Sequence, residues 1–436
     1  MNIDIVSTQF IKPSSATPSH LKKFRLSFLD QCMPAHFYPL IFYYYYDETS
    51  NITQSTMRFR LKSSLSDALT QFYPLAGRME GQSFVDCNDQ GVKYLETRVD
   101  SRLSDIIEFP QVAVLDQLIP YNLSDACMLK AEEQLAIQVN LFNCGGIVLG
   151  TCISHRIADA CTLSNFMNSW AAIACGKSNI VFPSFNSAVM FPPRDYSLSS
   201  MTDAKNQVVI PPVDRLVTKR FIFTASAISA LKANAAETLQ PTRVEIVTAF
   251  IWKCVMKKGK ASAVFHPVNL RCRMVPPLPT HFFGNMFQMA SAVISGQEAQ
   301  DYELSFLVNE LRSAFAKINS EHAKELLGKD GYEFAINNFK NIGKLMSQKD
   351  MKVLRCTSWC RFPIYEADFG WGKPCWVSSA SFPTKDTIIL LDSRQTSGIE
   401  AWVIMEEQDM AEFEQHHDLQ EYVSSYPEKE KTSVSE

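Results

Sequence analysis

The sequence predicts an α/β protein built from two domains. The chain has 436 residues, which exceeds a comfortable single hydrophobic core and favours two domains of roughly 200 residues each. Apolar runs typical of strands alternate with helical patterns along both halves. Between these halves, 183–215 is rich in Pro, Ser and other polar residues, as linkers are.

The patterned segments of the first half are a helix, two strands joined by a tight turn, and a second helix. In chain order they are 63–72, 135–141, 147–154 and 159–174. The first strand alternates apolar and polar side chains, so we expect it to be half-buried. The Asn143–Gly146 run is a turn signal that makes the two strands a hairpin.

The second half shows the same mixture of elements. Its predicted strands are 217–223, 376–380, 387–392 and 399–405, and its predicted helices are 242–256 and 305–318.

Bulk properties exclude several kinds of partner. The net charge is -4 and no Lys/Arg-rich block is present, which argues against nucleic acid. The most apolar stretch, 38–46, is too short to span a bilayer and suits a buried strand. The start of the chain lacks the pattern of a signal peptide. We therefore expect a cytoplasmic protein without a membrane partner, whose twelve Cys are free thiols.

The run His155–Asp159 is the strongest candidate for chemistry. It places an imidazole and a carboxylate one helical turn apart, where a strand ends and a helix begins. Imidazole takes and returns a proton near neutral pH, so His155 is either a general base or a core histidine at a strand end. Asp159 either orients that imidazole or points away to pair with an Arg.

Motifs of competing enzyme classes are missing from the sequence. It has no GxSxG nucleophile elbow, no HExxH, no cluster with metal-ligand spacing, and neither a P-loop nor GxGxxG. The surviving mechanism is a base that activates the substrate directly, without a covalent enzyme intermediate or a metal.

A second motif, Asp368–Gly372, has two Gly around a Trp and predicts a tight loop with close backbone approach. We interpret it as structural and expect its carboxylate to hold an Arg of 269–273. The two Arg of that segment, Arg271 and Arg273, are alternatively candidates for binding phosphate.

These two motifs, with others in the same order, resemble the plant BAHD acyltransferases. The resemblance covers nearly the whole chain to about residue 425, and the opening residues and FNCGG resemble the branch that acetylates alkaloids and terpenoids. The matching segments are IKPSSATPSHLKKFRLSFLDQ (11–31), YPLAGR (73–78), VDCNDQG (85–91), FNCGG (142–146), SHRIAD (154–159), VNLRCRM (268–274), FGN (283–285), SWCR (358–361) and DFGWGKP (368–374).

The resemblance implies two similar-sized domains with mixed sheets and flanking helices, like chloramphenicol acetyltransferase, and an active-site channel between them. The implied divisions are an N-terminal domain 1–195, a crossover loop 196–215, a C-terminal domain 216–425 and a disordered tail 426–436. A segment near 365–390 is expected to pack on the first domain.

The resemblance also assigns roles to residues. His155 would deprotonate the acceptor hydroxyl, and Asp159 would pair with Arg271 to fix the geometry. Asp368, Gly370 and Gly372 would shape a structural loop. For acyl-CoA binding the matching positions are Thr357, Ser358 and Trp371, and the Trp371 indole N–H or a backbone N–H near it is a candidate donor to the oxyanion.

The implied activity is acyl transfer from acyl-CoA, the co-substrate, to an alcohol, by a monomer with no permanently bound cofactor. Met286 after FGN, where the malonylating branch has Cys, favours acetyl-CoA, and Ala160 stands where related acyltransferases often have Gly. The alternatives are malonyl-CoA or an aromatic acyl-CoA as donor, an amine acceptor, and a catalytically silent small-molecule-binding relative. A carrier-protein condensation domain fits less well, because its motif normally has paired His and a trailing Gly.

Overall fold

The computed structural model describes residues 1–46, 52–123, 132–178, 180–194, 216–235, 239–296, 302–348 and 350–423. The expected crossover loop 196–215 and tail 426–436 lie outside these residues.

The strands are β1 (Ile3–Ile11), β2 (Lys23–Arg25), β3 (Phe37–Tyr44), β4 (Arg78–Glu80), β5 (Phe84–Asp86), β6 (Val92–Val99), β7 (Leu135–Phe142), β8 (Ile147–Ser154), β9 (Leu216–Phe223), β10 (Ala261–Asn269), β11 (Phe287–Ile294), β12 (Met351–Ser358), β13 (Trp376–Ser378), β14 (Thr387–Asp392) and β15 (Ile399–Glu406).

The helices are α1 (Phe28–Gln31), α2 (Gln54–Gln71), α3 (Leu103–Glu108), α4 (Val112–Leu115), α5 (Ala160–Ala174), α6 (Ser187–Met190), α7 (Ala225–Asn234), α8 (Arg243–Val255), α9 (Leu304–Ala316), α10 (Ser320–Leu327), α11 (Gly331–Met346), α12 (Glu407–Glu414) and α13 (His417–Tyr422).

The first sheet has the strand order β1-β6-β7-β8-β3-β13 and is mixed, because β6 and β7 run parallel while the other neighbours are antiparallel. Its edge strand β13 belongs to the second half of the sequence and pairs with β3. The Tyr43 hydroxyl and the Ser378 Oγ share a hydrogen bond of 2.9 Å across this pair. The two halves of the chain are therefore joined through one sheet.

The second sheet has the order β11-β10-β12-β14-β15-β9 and is also mixed, with β12 parallel to both β10 and β14. A small sheet, β2-β5-β4, accompanies them. The two mixed sheets with helices confirm the predicted α/β fold class.

Burial of β7 differs from the sequence-based expectation of a half-buried strand. All eight of its residues are buried, because the strand is central and both faces are covered. Its polar side chains are satisfied internally: Asn140 donates from Nδ2 to the carbonyls of Leu118 at 2.9 Å and Val148 at 3.1 Å. Alternation along this strand therefore reflects an internal hydrogen-bond network rather than a face in water.

Helix α2 begins earlier than the periodicity of 63–72 predicts. Thr53 caps its first turn by accepting a hydrogen bond from the Thr56 N–H. The helix packs against α5, where the Trp170 indole N–H donates to the Ser64 hydroxyl at 3.0 Å.

The eleven cysteines among the described residues are all free thiols. None of the helices in the described ranges is both long enough and apolar enough to cross a bilayer.

Candidate active site

His155 lies in a tight turn between the end of β8 and the start of α5. Its backbone N–H donates to the His36 carbonyl at 2.8 Å, and the Ile157 N–H donates back to the Ser154 carbonyl at 3.3 Å. Helix α5 begins only at Ala160, with Asp159 as its N-cap. The imidazole and the carboxylate are therefore separated by a turn and not, as the spacing predicts, by one turn of a helix.

The His155 side chain has a defined tautomer. It is 8% exposed, and its Nδ1 lies 3.0 Å from the Ala158 carbonyl oxygen. A carbonyl oxygen only accepts, so Nδ1 carries the proton and Nε2 keeps a lone pair. Burial lowers the pKa of His155 to about 4, although the contact with Ala158 acts against that shift. The imidazole is therefore neutral near pH 7 and able to accept a proton.

Aromatic rings from both halves of the chain surround this imidazole. Tyr38 meets it edge-on with ring centroids 4.1 Å apart, and Phe287 of the second sheet stacks on it at 5.7 Å. Phe382 in turn stacks on Tyr38 at 5.2 Å. The candidate base thus sits between the two sheets, among rings that exclude water.

Asp159 faces away from the imidazole and forms a two-point ion pair with Arg271. The distances are 2.7 Å from Nη1 to Oδ2 and 3.2 Å from Nη2 to Oδ1, and the Arg271 side chain is only 2% exposed. Asp159 also accepts hydrogen bonds from the backbone N–H groups of Thr162 and Met286. Burial acts to raise the pKa of Asp159, but Arg271 and these hydrogen bonds outweigh it and hold the pKa below its usual value.

A second contact between the two halves involves Asn285, a functional residue that the FGN motif alone does not identify. The Asn285 Nδ2 donates to the His155 backbone carbonyl at 2.7 Å and to the Asp30 carboxylate at 2.9 Å. Asn285 is 1% exposed and Asp30 is equally buried. The backbone of His155 is therefore held by the second half of the chain as well as by His36, which directly precedes β3.

The Asp368 loop differs from the expectation that its carboxylate holds an Arg of 269–273. Asp368 accepts hydrogen bonds from the backbone N–H groups of Gly370 at 2.8 Å and Gly372 at 3.0 Å, and no arginine in the described part of the chain pairs with it. Arg271 is engaged by Asp159 instead. The carboxylate thus folds its own loop.

This loop packs at the far end of α5 from His155. The Cys175 thiol donates to the Asp368 carbonyl at 3.1 Å, and Phe369 meets Trp170 at 4.8 Å. Helix α5 has 15 residues and spans about 22 Å at 1.5 Å per residue. The Trp371 indole, buried against Phe369, therefore lies too far from the base to donate to an oxyanion, which corrects the sequence-based expectation.

Two glycines of this loop allow a matched test. Gly370 and Gly372 have φ of +101° and +107°. A Cβ on Gly370 would displace the Arg60 Nη1, which donates to the Phe369 carbonyl. A Cβ on Gly372 would meet no neighbouring atom. We expect Gly372→Ala to lower the free energy of unfolding by about 1–3 kcal/mol through strain. Gly370→Ala should cost about 1 kcal/mol more, for the lost hydrogen bond.

Urea unfolding of the two variants, with an unchanged m-value, measures both changes in the free energy of unfolding. Equal destabilisation by the two substitutions would show that the Arg60 contact contributes nothing.

Thr357 and Ser358 end β12, where they pair with Ile389 and Leu390 of β14. The Ser358 Oγ accepts from the Cys360 N–H at 3.3 Å. The next residue, Trp359, is 6.4 Å from the Tyr38 ring. The structure thus places this segment beside the aromatic rings around His155.

Comparisons with known proteins agree on the class. The model of the Transferase family matches residues 1–420. Stemmadenine O-acetyltransferase of Catharanthus roseus is 38% identical, over 94% of this chain and 95% of that protein. Limonoid 21-O-acetyltransferase of Melia azedarach is 35% identical, over 98% and 99%. The crystal structure of vinorine synthase superposes with a TM-score of 0.83 at 34% identity, covering 98% of this chain and 99% of the other.

The fold and these relatives define an acyltransferase. The chain belongs to the plant BAHD family of acyltransferases. Its predicted similarity to the branch that acetylates alkaloids and terpenoids is confirmed.

Proposed function

We propose that this protein transfers an acetyl group from acetyl-CoA to a hydroxyl of an alkaloid or terpenoid, with His155 as general base. One observation carries the proposal: the His155 imidazole is neutral, has its Nδ1 proton fixed by the Ala158 carbonyl, and lies between the two sheets among aromatic rings. Acceptor chemistry is indicated by the relatives, whose names describe acetylation of stemmadenine, salutaridinol and limonoids.

The chemical steps follow from this geometry. Nε2 of His155 takes the proton of the acceptor hydroxyl as the oxygen attacks the thioester carbonyl. The tetrahedral intermediate then collapses, the C–S bond breaks, and the imidazolium returns the proton to the departing CoA thiolate. The acceptor oxygen itself attacks the thioester carbonyl, so the C–O bond forms and the C–S bond breaks without a covalent enzyme intermediate. Both substrates are therefore held together in a ternary complex.

The ion pair Asp159–Arg271 has a supporting role in this proposal. It joins the N-cap of α5 to the second half of the chain and fixes the turn that carries His155. Asp368, at the other end of α5, shapes a structural loop. Thr357 and Ser358, near Trp359 and Tyr38, are proposed to line the acyl-CoA side of the site.

The direct test is to mix the purified protein with acetyl-CoA and a panel of stemmadenine, salutaridinol and limonoid alcohols. Thiol release would report turnover, and mass spectrometry would identify the acetyl ester. Malonyl-CoA, an aromatic acyl-CoA and an amine acceptor run in parallel test the alternative substrates. Intersecting initial-rate patterns would support a ternary complex, whereas parallel patterns would indicate a covalent intermediate. Binding without turnover would point to a catalytically silent relative.

The pH dependence of kcat/KM tests the base assignment. Since burial lowers the pKa of His155 to about 4 from 6.5, the unprotonated, active form persists as pH falls until that value is approached. We expect kcat/KM to be flat from about pH 8 to about pH 6 and to fall through an apparent pKa near 4. A limonoid alcohol is the suitable acceptor, because an alkaloid amine would titrate.

Circular dichroism at each pH separates loss of the base from acid unfolding. An acid limb near pH 6.5 in folded protein would contradict a desolvated His155 as the base.

A further inference from the structure

A second imidazole lies opposite the candidate base and belongs to none of the recognised motifs. In the antiparallel pair of β3 and β8, Phe37 is opposite Ser154, so the same register brings His36 opposite His155. Side chains of directly opposite residues project from the same face of an antiparallel pair. The two imidazole centroids are accordingly 5.5 Å apart.

His36 is part of the aromatic wall around the site. Its ring meets Tyr38 edge-on at 4.8 Å and Phe382 at 5.3 Å. No lysine or arginine makes a ring contact with this group of residues in the described ranges. Flat rings without a cation suit a polycyclic acceptor better than the phosphates of CoA.

The hydrogen-bonding capacity of His36 is not fully used by the protein. Its Nε2 is closed to solvent and has no hydrogen-bond partner among the described residues, and a buried nitrogen left unpaired costs free energy. Burial lowers the pKa of His36 to about 3, with a further contribution from His155. The neutral ring can donate from one nitrogen and accept at the other.

Residue 36 as a whole is only partly buried, although its Nε2 is closed to solvent. Rotation about its Cβ–Cγ bond has two broad, roughly equivalent settings. For His36 to contact a molecule that enters beside His155, one of these settings must direct a ring nitrogen toward that molecule.

We propose that His36 is a specificity-determining residue, whose neutral imidazole hydrogen-bonds a second, non-reacting oxygen of the acceptor while the reacting hydroxyl meets His155. The acceptor class is thus a polycyclic alcohol with at least one further hydroxyl or carbonyl oxygen near the first. This inference rests on the proposed acyltransferase function and adds the recognition of a second oxygen.

The test uses two acceptors: the most active member of the panel and its analogue lacking one non-reacting oxygen. The wild-type protein should prefer the oxygenated acceptor by about tenfold or more in kcat/KM, the equivalent of one hydrogen bond. In His36→Phe, which keeps ring shape but not hydrogen bonding, this ratio should fall toward one. His36→Gln, which keeps hydrogen bonding, should retain part of the preference.

A matched control is His322→Phe. His322 also has an unpartnered Nε2 and an edge-on aromatic neighbour, Phe334 at 4.8 Å, but it lies on α10. This substitution should leave the ratio unchanged. An unchanged ratio of kcat/KM values in His36→Phe would overturn the proposal. An equal loss of kcat/KM with both acceptors, together with a shifted acid limb of the pH profile, would also overturn it, because His36 would then act on the base and not on the acceptor.

Binding measurements separate failure of this inference from failure of the proposed function. Trp359 is 6.4 Å from Tyr38, so titration of tryptophan fluorescence with the same two compounds needs no turnover. If wild type shows no turnover but binds the oxygenated compound more tightly, and His36→Phe does not, the acyltransfer proposal fails and the role of His36 stands. If neither protein distinguishes the compounds, the role of His36 is refuted.

Discussion

Replacing His155 by Ala should lower kcat for acyl transfer by about 10²–10⁴-fold, the usual contribution of a positioned general base. The substitution removes Nε2, the lone pair proposed to accept the hydroxyl proton. It leaves the backbone contacts of residue 155 with His36 and Asn285 available, because both use main-chain atoms. The folded protein should therefore survive and still bind acetyl-CoA.

Stopped assays over hours measure the residual rate, and calorimetric titration with acetyl-CoA checks binding. His155→Gln is a useful second variant, since it keeps a polar side chain without a basic nitrogen. Near-normal turnover in either variant would remove His155 from the role of base.

Breaking the Asp159–Arg271 pair should have the largest effect on stability. Removing one partner of a buried ion pair leaves the other charge uncompensated, which typically costs about 3–5 kcal/mol. Asp159→Ala also loses the N-cap of α5, worth about 1 kcal/mol. Asp159→Asn keeps a side chain that can cap α5 but removes the negative charge, so it gives the cost of losing the charge with the cap retained.

Urea unfolding of Asp159→Ala, Arg271→Ala and the double variant gives the coupling energy. We expect the double variant to be less destabilised than the sum, with activity lost in step with stability. The exposed pair Lys373–Glu366 supplies the control, since Glu366→Gln should change stability by under about 1 kcal/mol. An Asp159 variant of full stability and no activity would instead indicate a direct catalytic role.

Local patterns predicted much of this architecture from the sequence. The bounds of β8 and β14 agree with the expected 147–154 and 387–392, because short apolar runs between turn signals define buried strands well. The motif at His155 was located correctly at a strand end. The predicted start of the helix was early by one residue, since Asp159 caps it.

Features that depend on strand register were beyond sequence reasoning. His36 is more than a hundred positions from His155, and only the pairing of β3 with β8 brings them together. The prediction that Asp368 pairs with an arginine was wrong for a related reason. A carboxylate can be satisfied by the backbone of its own loop as readily as by an arginine. Charge complementarity between distant segments did not distinguish an Asp368–arginine pair from a carboxylate bonded to its own loop.

Strand β13 belongs to the second half of the chain but completes the first sheet, which constrains the construction of hybrids between this chain and its relatives. A junction placed in the linker would leave the first sheet of one parent completed by an edge strand of the other. Tyr43 would then meet a foreign partner in place of Trp376 and Ser378, and Tyr44 would lose the Ala367 carbonyl that its hydroxyl contacts at 2.9 Å. The N-terminal half and the short segment around β13 therefore form one discontinuous structural unit. A hybrid should take both parts from the same parent.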